Sequence, residues 1–265
     1  MAEFAWIVPL GVALLGLLVG SFLNVVIARV PEGRSVVRPR SSCPACGAVI
    51  TARDNIPVLS WLLLRGRCRS CGMSISWRYP AVELGTAALW LGVWWWGSGV
   101  GLPLVPIGFA LVSVLFALAV IDADCQRLPD PLVWSLYPLT VLGLGVAALV
   151  GSSAGWVDAL VGAGLWLLVI GGLWLATRGR GMGLGDVKLA PVLGATLGWV
   201  GLGASIVGIL LAFILGALAG GALLLLGRAE RGSHLAFGPL FFGGWALAVA
   251  FGPDIWAWYA GGTGL

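Results

Sequence analysis

Two aspartates in this chain occupy positions suited to chemistry. Asp186 ends the glycine-spaced run Gly181-Met-Gly-Leu-Gly-Asp186, and Val187, Lys188 and a long apolar stretch follow it. Asp122 closes an earlier apolar run and opens the segment Asp122-Ala-Asp-Cys-Gln-Arg-Leu-Pro-Asp130. An acid at membrane depth is costly unless it is wet, paired or used, so each is a site candidate. Two carboxylates a few ångströms apart cannot readily both ionise; one keeps a proton and the pair titrates as a unit. The ionised member can then take a proton from water while the protonated member polarises a peptide carbonyl. The expectation is an aspartyl protease pair, Asp122 and Asp186, at one membrane face.

Structural roles compete with this reading. Asp186 precedes a helix and would cap it. Asp130 precedes Pro131 and reads as an N-cap with proline at the first helical position. Asp124 is a solvated loop residue or a partner of the site. Chemistry alone favours Asp122 over Asp124, because Asp122 directly follows the apolar run. The glycines before Asp186 do not make a nucleotide loop: no strand precedes them and no Gly-Lys-Ser/Thr follows. Gly183 and Gly185 instead offer room for an extended peptide, and Lys188 is a candidate for reading an acidic substrate residue. The single histidine, His234, is expected in a polar loop, too isolated to activate Cys125 or a serine.

A second constellation is Cys43-Pro-Ala-Cys46-Gly followed by Cys68-Arg-Ser-Cys71-Gly. Two such pairs supply four thiolates for a tetrahedral zinc ion. A closed four-thiolate site has no open position, so the expected role of Cys43, Cys46, Cys68 and Cys71 is structural. The alternative is two disulfides, which a reducing compartment disfavours.

The elements that position these residues are membrane helices. Of 265 residues, 60% are hydrophobic and 10% charged, where a soluble domain carries about 25% charge. The mean hydropathy is +1.02. The fold class expected is an all-α polytopic membrane protein of about eight transmembrane helices, with a small zinc-binding cytoplasmic domain between the first two. Apolar runs place the helices near 4–28, 80–96, 103–121, 131–150, 156–176, two within 187–227 that turn at 198–203, and 237–259. The domains are then 1–28, the first helix; 29–79, the zinc domain; and 80–265, a seven-helix protease domain. Residues 56–64 are apolar but too short to span. They fit a re-entrant or interfacial segment, or a small core around the metal.

With the N-terminus outside, the inner loops are 29–79, 122–130, 177–188 and 227–236. They hold 9, 1, 3 and 2 Lys or Arg residues, all 15 in the protein. Basic residues collect on the cytoplasmic side. The net charge of +4 is therefore a topology signal, and nucleic acid is not expected as a partner. Both termini fall outside, the zinc domain is cytoplasmic, and Asp122 and Asp186 lie at the inner membrane boundary.

The motifs together resemble the bifunctional type IV prepilin peptidases, members of the Gly-x-Gly-Asp membrane aspartyl proteases. The resemblance runs through Gly20-Ser-Phe-Leu-Asn-Val-Val-Ile27, Cys43-Pro-Ala-Cys46, Asn55-Ile-Pro-Val-Leu-Ser-Trp61, Arg65-Gly-Arg-Cys68 and Arg78-Tyr-Pro-Ala-Val-Glu-Leu84. It continues through Ile121-Asp122 with Leu128-Pro-Asp130, the glycine motif, and Phe237-Gly-Pro239. It implies that Asp122 and Asp186 are the catalytic pair. It implies a bacterial inner-membrane enzyme of type IV pilus or type II secretion systems. Such an enzyme cuts the basic leader from prepilin or pseudopilin precursors after a glycine. It then methylates the new N-terminus from S-adenosylmethionine, an activity the resemblance places in residues 29–79 and their contacts with the second helix, including Glu83. Two other readings stand beside it: a membrane transporter, and a non-catalytic pilus or secretion assembly factor with a zinc docking loop. The transporter reading lacks midplane acids and an inverted repeat.

Overall fold

The computed structural model describes residues 6–150, 155–227 and 235–263. Among these there are nine α-helices and no sheet, only two isolated β-bridges. By internal packing the chain divides into Met1–Ser113 and Val114–Leu265.

The first unit holds α1 (Ile7–Arg29), α2 (Leu59–Leu63), α3 (Arg78–Val100) and the first half of α4 (Val105–Cys125). Helices α1 and α3 pack through small residues. A Cβ on Gly20 would lie 2.6 Å from the Glu83 Cα, and one on Gly16 2.7 Å from the Ala87 Cα. In lipid, where both partners are already apolar, such close backbone approach is the main source of helix association. Asn24 Nδ2 donates to the Tyr79 carbonyl at 3.1 Å and closes the same seam. Trp90 stacks on Phe109 with ring centroids 4.2 Å apart, and its indole N–H donates to Ser113 Oγ at 2.9 Å.

The second unit holds the end of α4, then α5 (Asp130–Leu149), α6 (Trp156–Thr177), α7 (Leu184–Val200), α8 (Leu202–Leu225) and α9 (Gly238–Thr263). Helix α7 is heavily buried; Leu189, Ala190, Val192, Leu193 and Leu197 are all nearly inaccessible. Its Gly194 and Gly198 lie directly against the backbone of α6, where a Cβ would collide with the carbonyls of Gly162 and Asp158. Gly201, with φ +154°, makes the turn into α8 within the expected 198–203 stretch. Tyr137 on α5 donates to the Lys188 carbonyl at 2.8 Å, and Trp245 on α9 to Thr196 Oγ1 at 2.8 Å. These bonds tie α5 and α9 to α7.

Eight described helices have 17 residues or more. Six of them, α1, α4, α5, α6, α8 and α9, are long and apolar enough by themselves to cross a bilayer. The other two depart from that standard for different reasons. Helix α7 has 17 residues and is sheathed by its neighbours. Helix α3 has 23 residues, but Glu83 and its tryptophans lower its hydropathy.

Candidate active site and cysteine cluster

Asp122 lies in the last turn of α4, which continues to Cys125, four residues past the expected end at 121. The helix persists because Gln126, with φ +53°, donates its N–H back to the Asp122 carbonyl at 2.9 Å. That added turn separates the two candidate acids. Asp122 is 6% exposed, whereas Asp124 is an exposed residue. The Asp122 Oδ2 accepts the Gly238 N–H at 2.7 Å. Gly238 begins α9, so the carboxylate sits on the unsatisfied amides at the positive end of a helix 116 residues away. A Cβ at position 238 would lie 2.8 Å from the Asp122 Cβ and 2.9 Å from its Oδ2. Only glycine allows that approach. The sequence offered a signal here, glycine then proline before an apolar run, but no role attaches to it without the fold.

Asp186 is the third residue of α7 and is 7% exposed. Its Oδ2 accepts the Gly183 N–H at 3.0 Å, and Gly183 is the N-cap. The capping role is therefore present, but it occupies one oxygen only. Asp186 Oδ1 is buried without a hydrogen-bond partner, the one carboxylate oxygen among the described residues in that state. A buried orphan acceptor is costly and calls for a purpose. Asp186 lies within electrostatic reach of Asp122. Two buried carboxylates on α4 and α7, each steadied through one oxygen by a helix N-terminus, thus lie within electrostatic reach of one another.

The remaining predicted site residues have other surroundings. A Cβ on Gly185 would lie 2.8 Å from the Leu128 Cβ, so this glycine makes room for the α4–α5 linker. A Cβ on Gly183 would meet Asp186 Oδ2 at an ordinary 3.4 Å. Lys188 Nζ donates to Asp130 Oδ1 at 2.7 Å. Asp130 differs from expectation: it is the first residue of α5, Pro129 is the N-cap, and no side chain caps the helix. Its carboxylate turns to Lys188 instead, because a cation one helix away offers more than an amide in its own turn. Cys125 donates its thiol to the Ile121 carbonyl at 3.2 Å. His234 lies outside the described residues.

The four cysteines converge in the first unit, with all four Sγ atoms within 4.8 Å of one another. Cys43 and Cys71 Sγ are 3.8 Å apart. Zinc–sulfur bonds of about 2.3 Å in a tetrahedron place sulfurs about 3.8 Å apart, so the spacing fits the ion. The two halves repeat one pattern. Gly47 donates to the Cys43 carbonyl and Gly72 to the Cys68 carbonyl, both at 2.9 Å; Cys43 donates to Ala48 and Cys68 to Met73. Gly47 and Gly72 take φ +70° and +73°, which glycine reaches without strain. The bridges Ser42–Val49 and Arg67–Ser74 close each half. Backbone amides of Cys46 and then Ala45 hold the Cys43 thiol down to about 6. For Cys71 the Met73 backbone contact pulls the other way, but burial and the three neighbouring thiols push it up to about 11. Four thiols this close cannot all ionise alone; a divalent cation at their centre lets them.

An all-α protein with six or more apolar helices, paired buried aspartates and a four-cysteine knuckle pair is, as a class, a membrane protein with a protease-like site. The profile described as Bacterial Peptidase A24 N-terminal domain matches residues 14–96. That described as Type IV leader peptidase family matches residues 109–225. A prepilin leader peptidase/N-methyltransferase of Aeromonas hydrophila is 40% identical over 286 residues, covering 94% of this chain and 92% of its own. One of Pseudomonas aeruginosa is 41% identical, covering 91% and 90%, and one of Myxococcus xanthus is 45% identical, covering 82% and 63%. No solved structure matches this chain. The chain belongs to the type IV leader peptidase family.

Proposed function

We propose that this protein cuts the leader peptide from type IV prepilin or pseudopilin precursors after a glycine, at the cytoplasmic face of the bacterial inner membrane. It then methylates the exposed N-terminal residue. The observation that carries the proteolytic reading is a pair of buried aspartates, Asp122 and Asp186, within electrostatic reach of one another, with Asp186 Oδ1 left buried and unpartnered. The names of relatives about 40% identical over nine-tenths of the chain support both activities. In this reading one aspartate takes a proton from water as it attacks the scissile carbonyl. The other gives a proton to the carbonyl oxygen. Gly183 and Gly185 border the extended substrate.

The basic inner loops keep the N- and C-termini outside and the cysteine domain cytoplasmic. Cys43, Cys46, Cys68 and Cys71 would hold zinc as a structural ion. S-adenosylmethionine would supply an activated methyl group. We place its use in residues 29–79 and their contacts with α3, the region covered by the separate N-terminal profile.

The direct test is mass spectrometry of a purified prepilin incubated with the wild-type protein and S-adenosylmethionine. Loss of the leader together with a gain of one methyl group supports the reading; an intact precursor overturns it.

Two further outcomes are expected. Metal analysis of reduced protein should return about one zinc per chain, and Cys43→Ser should lose it. Methylation should fall further than cleavage, because only the first unit loses its staple; an equal fall in both would make the loop a scaffold for the whole enzyme. Lys188→Ala removes a partly exposed ion pair, so stability should change by no more than about 1 kcal/mol. If Lys188 also reads the acid early in the mature pilin, this variant should cleave acid-bearing and acid-lacking precursors at equal rates while the wild type distinguishes them.

A further inference from the structure

The segment around α2 is folded inside out for a protein in water. Ser60 is buried; its hydroxyl accepts the Ile56 N–H at 3.0 Å and donates to the Arg53 carbonyl at 2.9 Å. Trp61 turns inward, where its indole donates to the Ile75 carbonyl at 3.1 Å and Gly66 packs on its ring. The aliphatic residues point outward. Ile56 is 47% exposed, Leu59 48%, Leu62 58% and Leu63 72%. Leu14, Leu15, Leu18 and Phe22, on the membrane-spanning α1, are exposed to the same degree, 51–57%. This arrangement rules out the small core around the metal that the length of 56–64 also allowed.

The depth of the segment follows from its tether. Val58 has φ +59° and ψ −50°, and Leu59 donates its N–H to the Pro57 carbonyl two residues back. This is the strained, positive-φ form of the γ-turn, rarely adopted by a β-branched residue. The turn aims the Val58 N–H at Glu83 Oε2, 2.7 Å away. Glu83 also bonds to Ser21 on α1. Ser21 is eight residues before Arg29, the end of α1, which is about 12 Å along the helix axis. The turn before α2 is therefore pinned alongside a helix that is within the bilayer, below the level of Arg29.

We propose that residues 56–63 are a membrane-interface anchor, with Ile56, Leu59, Leu62 and Leu63 inserted among the acyl chains of the inner leaflet. The exposed Arg53, Arg65 and Arg67 border the segment and match anionic phospholipid headgroups. The anchor holds the cysteine domain against the membrane surface. It does not depend on the proteolytic reading, since lipid contact is independent of cleavage.

The test is photo-crosslinking in vesicles containing phosphatidylglycerol. Leu63→p-benzoylphenylalanine and, in a second protein, Leu62→p-benzoylphenylalanine should each give a covalent lipid adduct by mass spectrometry. Both should exceed the same label at the exposed Arg69, which pairs with Asp54, by about fivefold or more. Zinc content reports that each labelled domain is folded. A folded protein whose labels at 62 and 63 attach no lipid overturns the proposal. So does one whose labels attach to a prepilin or to a second copy of the chain, which would make the patch a protein-docking face.

Discussion

Replacing either Asp122 or Asp186 by asparagine is expected to slow precursor cleavage by about a thousandfold while the protein still reaches the membrane. Asparagine is the informative substitution because each aspartate has two duties. Asp122 Oδ2 accepts the Gly238 N–H, and Asp186 Oδ2 accepts the Gly183 N–H. An asparagine carbonyl oxygen can still accept both bonds, so the starts of α9 and α7 remain capped. What asparagine cannot do is exchange a proton with water or a peptide carbonyl at these positions. Alanine would remove the cap as well, costing about 1 kcal/mol and mixing stability with chemistry. Cleavage is read by the shift in precursor mass, and folding by the protein level in the membrane fraction. If both asparagine variants cut at the wild-type rate, the aspartates are helix caps and nothing more.

Gly238→Ala is the second large effect, and it acts on Asp122 from outside the two aspartate-bearing motifs. The added methyl would lie 2.8 Å from the Asp122 Cβ, closer than carbon atoms pack. Either α9 withdraws or the Asp122 side chain swings aside, and both break the 2.7 Å bond from the Gly238 N–H. A displacement of about 1 Å at a reacting group lowers rate by about a hundredfold. Cleavage should fall by about that factor through kcat, with KM little changed, because the residue is buried against Asp122 and has no side chain to offer a substrate. Methylation of a precleaved pilin should be unaffected. A variant that cuts normally would show that the start of α9 has no part in placing Asp122. A loss seen only in KM would instead make position 238 part of the substrate groove.

Much of this protein is legible along the chain. The long helices and the cysteine cluster follow from runs of apolar residues and cysteine spacing, and the partition of 15 basic residues supplies the expected side of each loop. These features are local. The cost of placing a segment in lipid is close to a sum over its own residues, so neighbours in sequence suffice to judge it. The paired cysteines are legible for a similar reason, since their spacing sets the turn that holds them. The motif order marked Asp122 and Asp186 as well.

What the chain alone left open are questions of which atom meets which. Asp122 and Asp124 are two residues apart and chemically alike; one added helical turn buries the first and exposes the second. Gly185 reads as room for a substrate, and the chain alone did not show that Leu128 packs against it. Asp130 looked like a cap, yet it reaches across to Lys188. Gly238 had no visible function until the start of α9 met Asp122, and the apolar stretch 56–64 fitted an interfacial segment or a small core until its leucines turned outward. Each of these depends on contacts between segments distant in sequence. Such contacts are selected by the joint packing of several helices, so no window along the polypeptide contains the interaction that decides them.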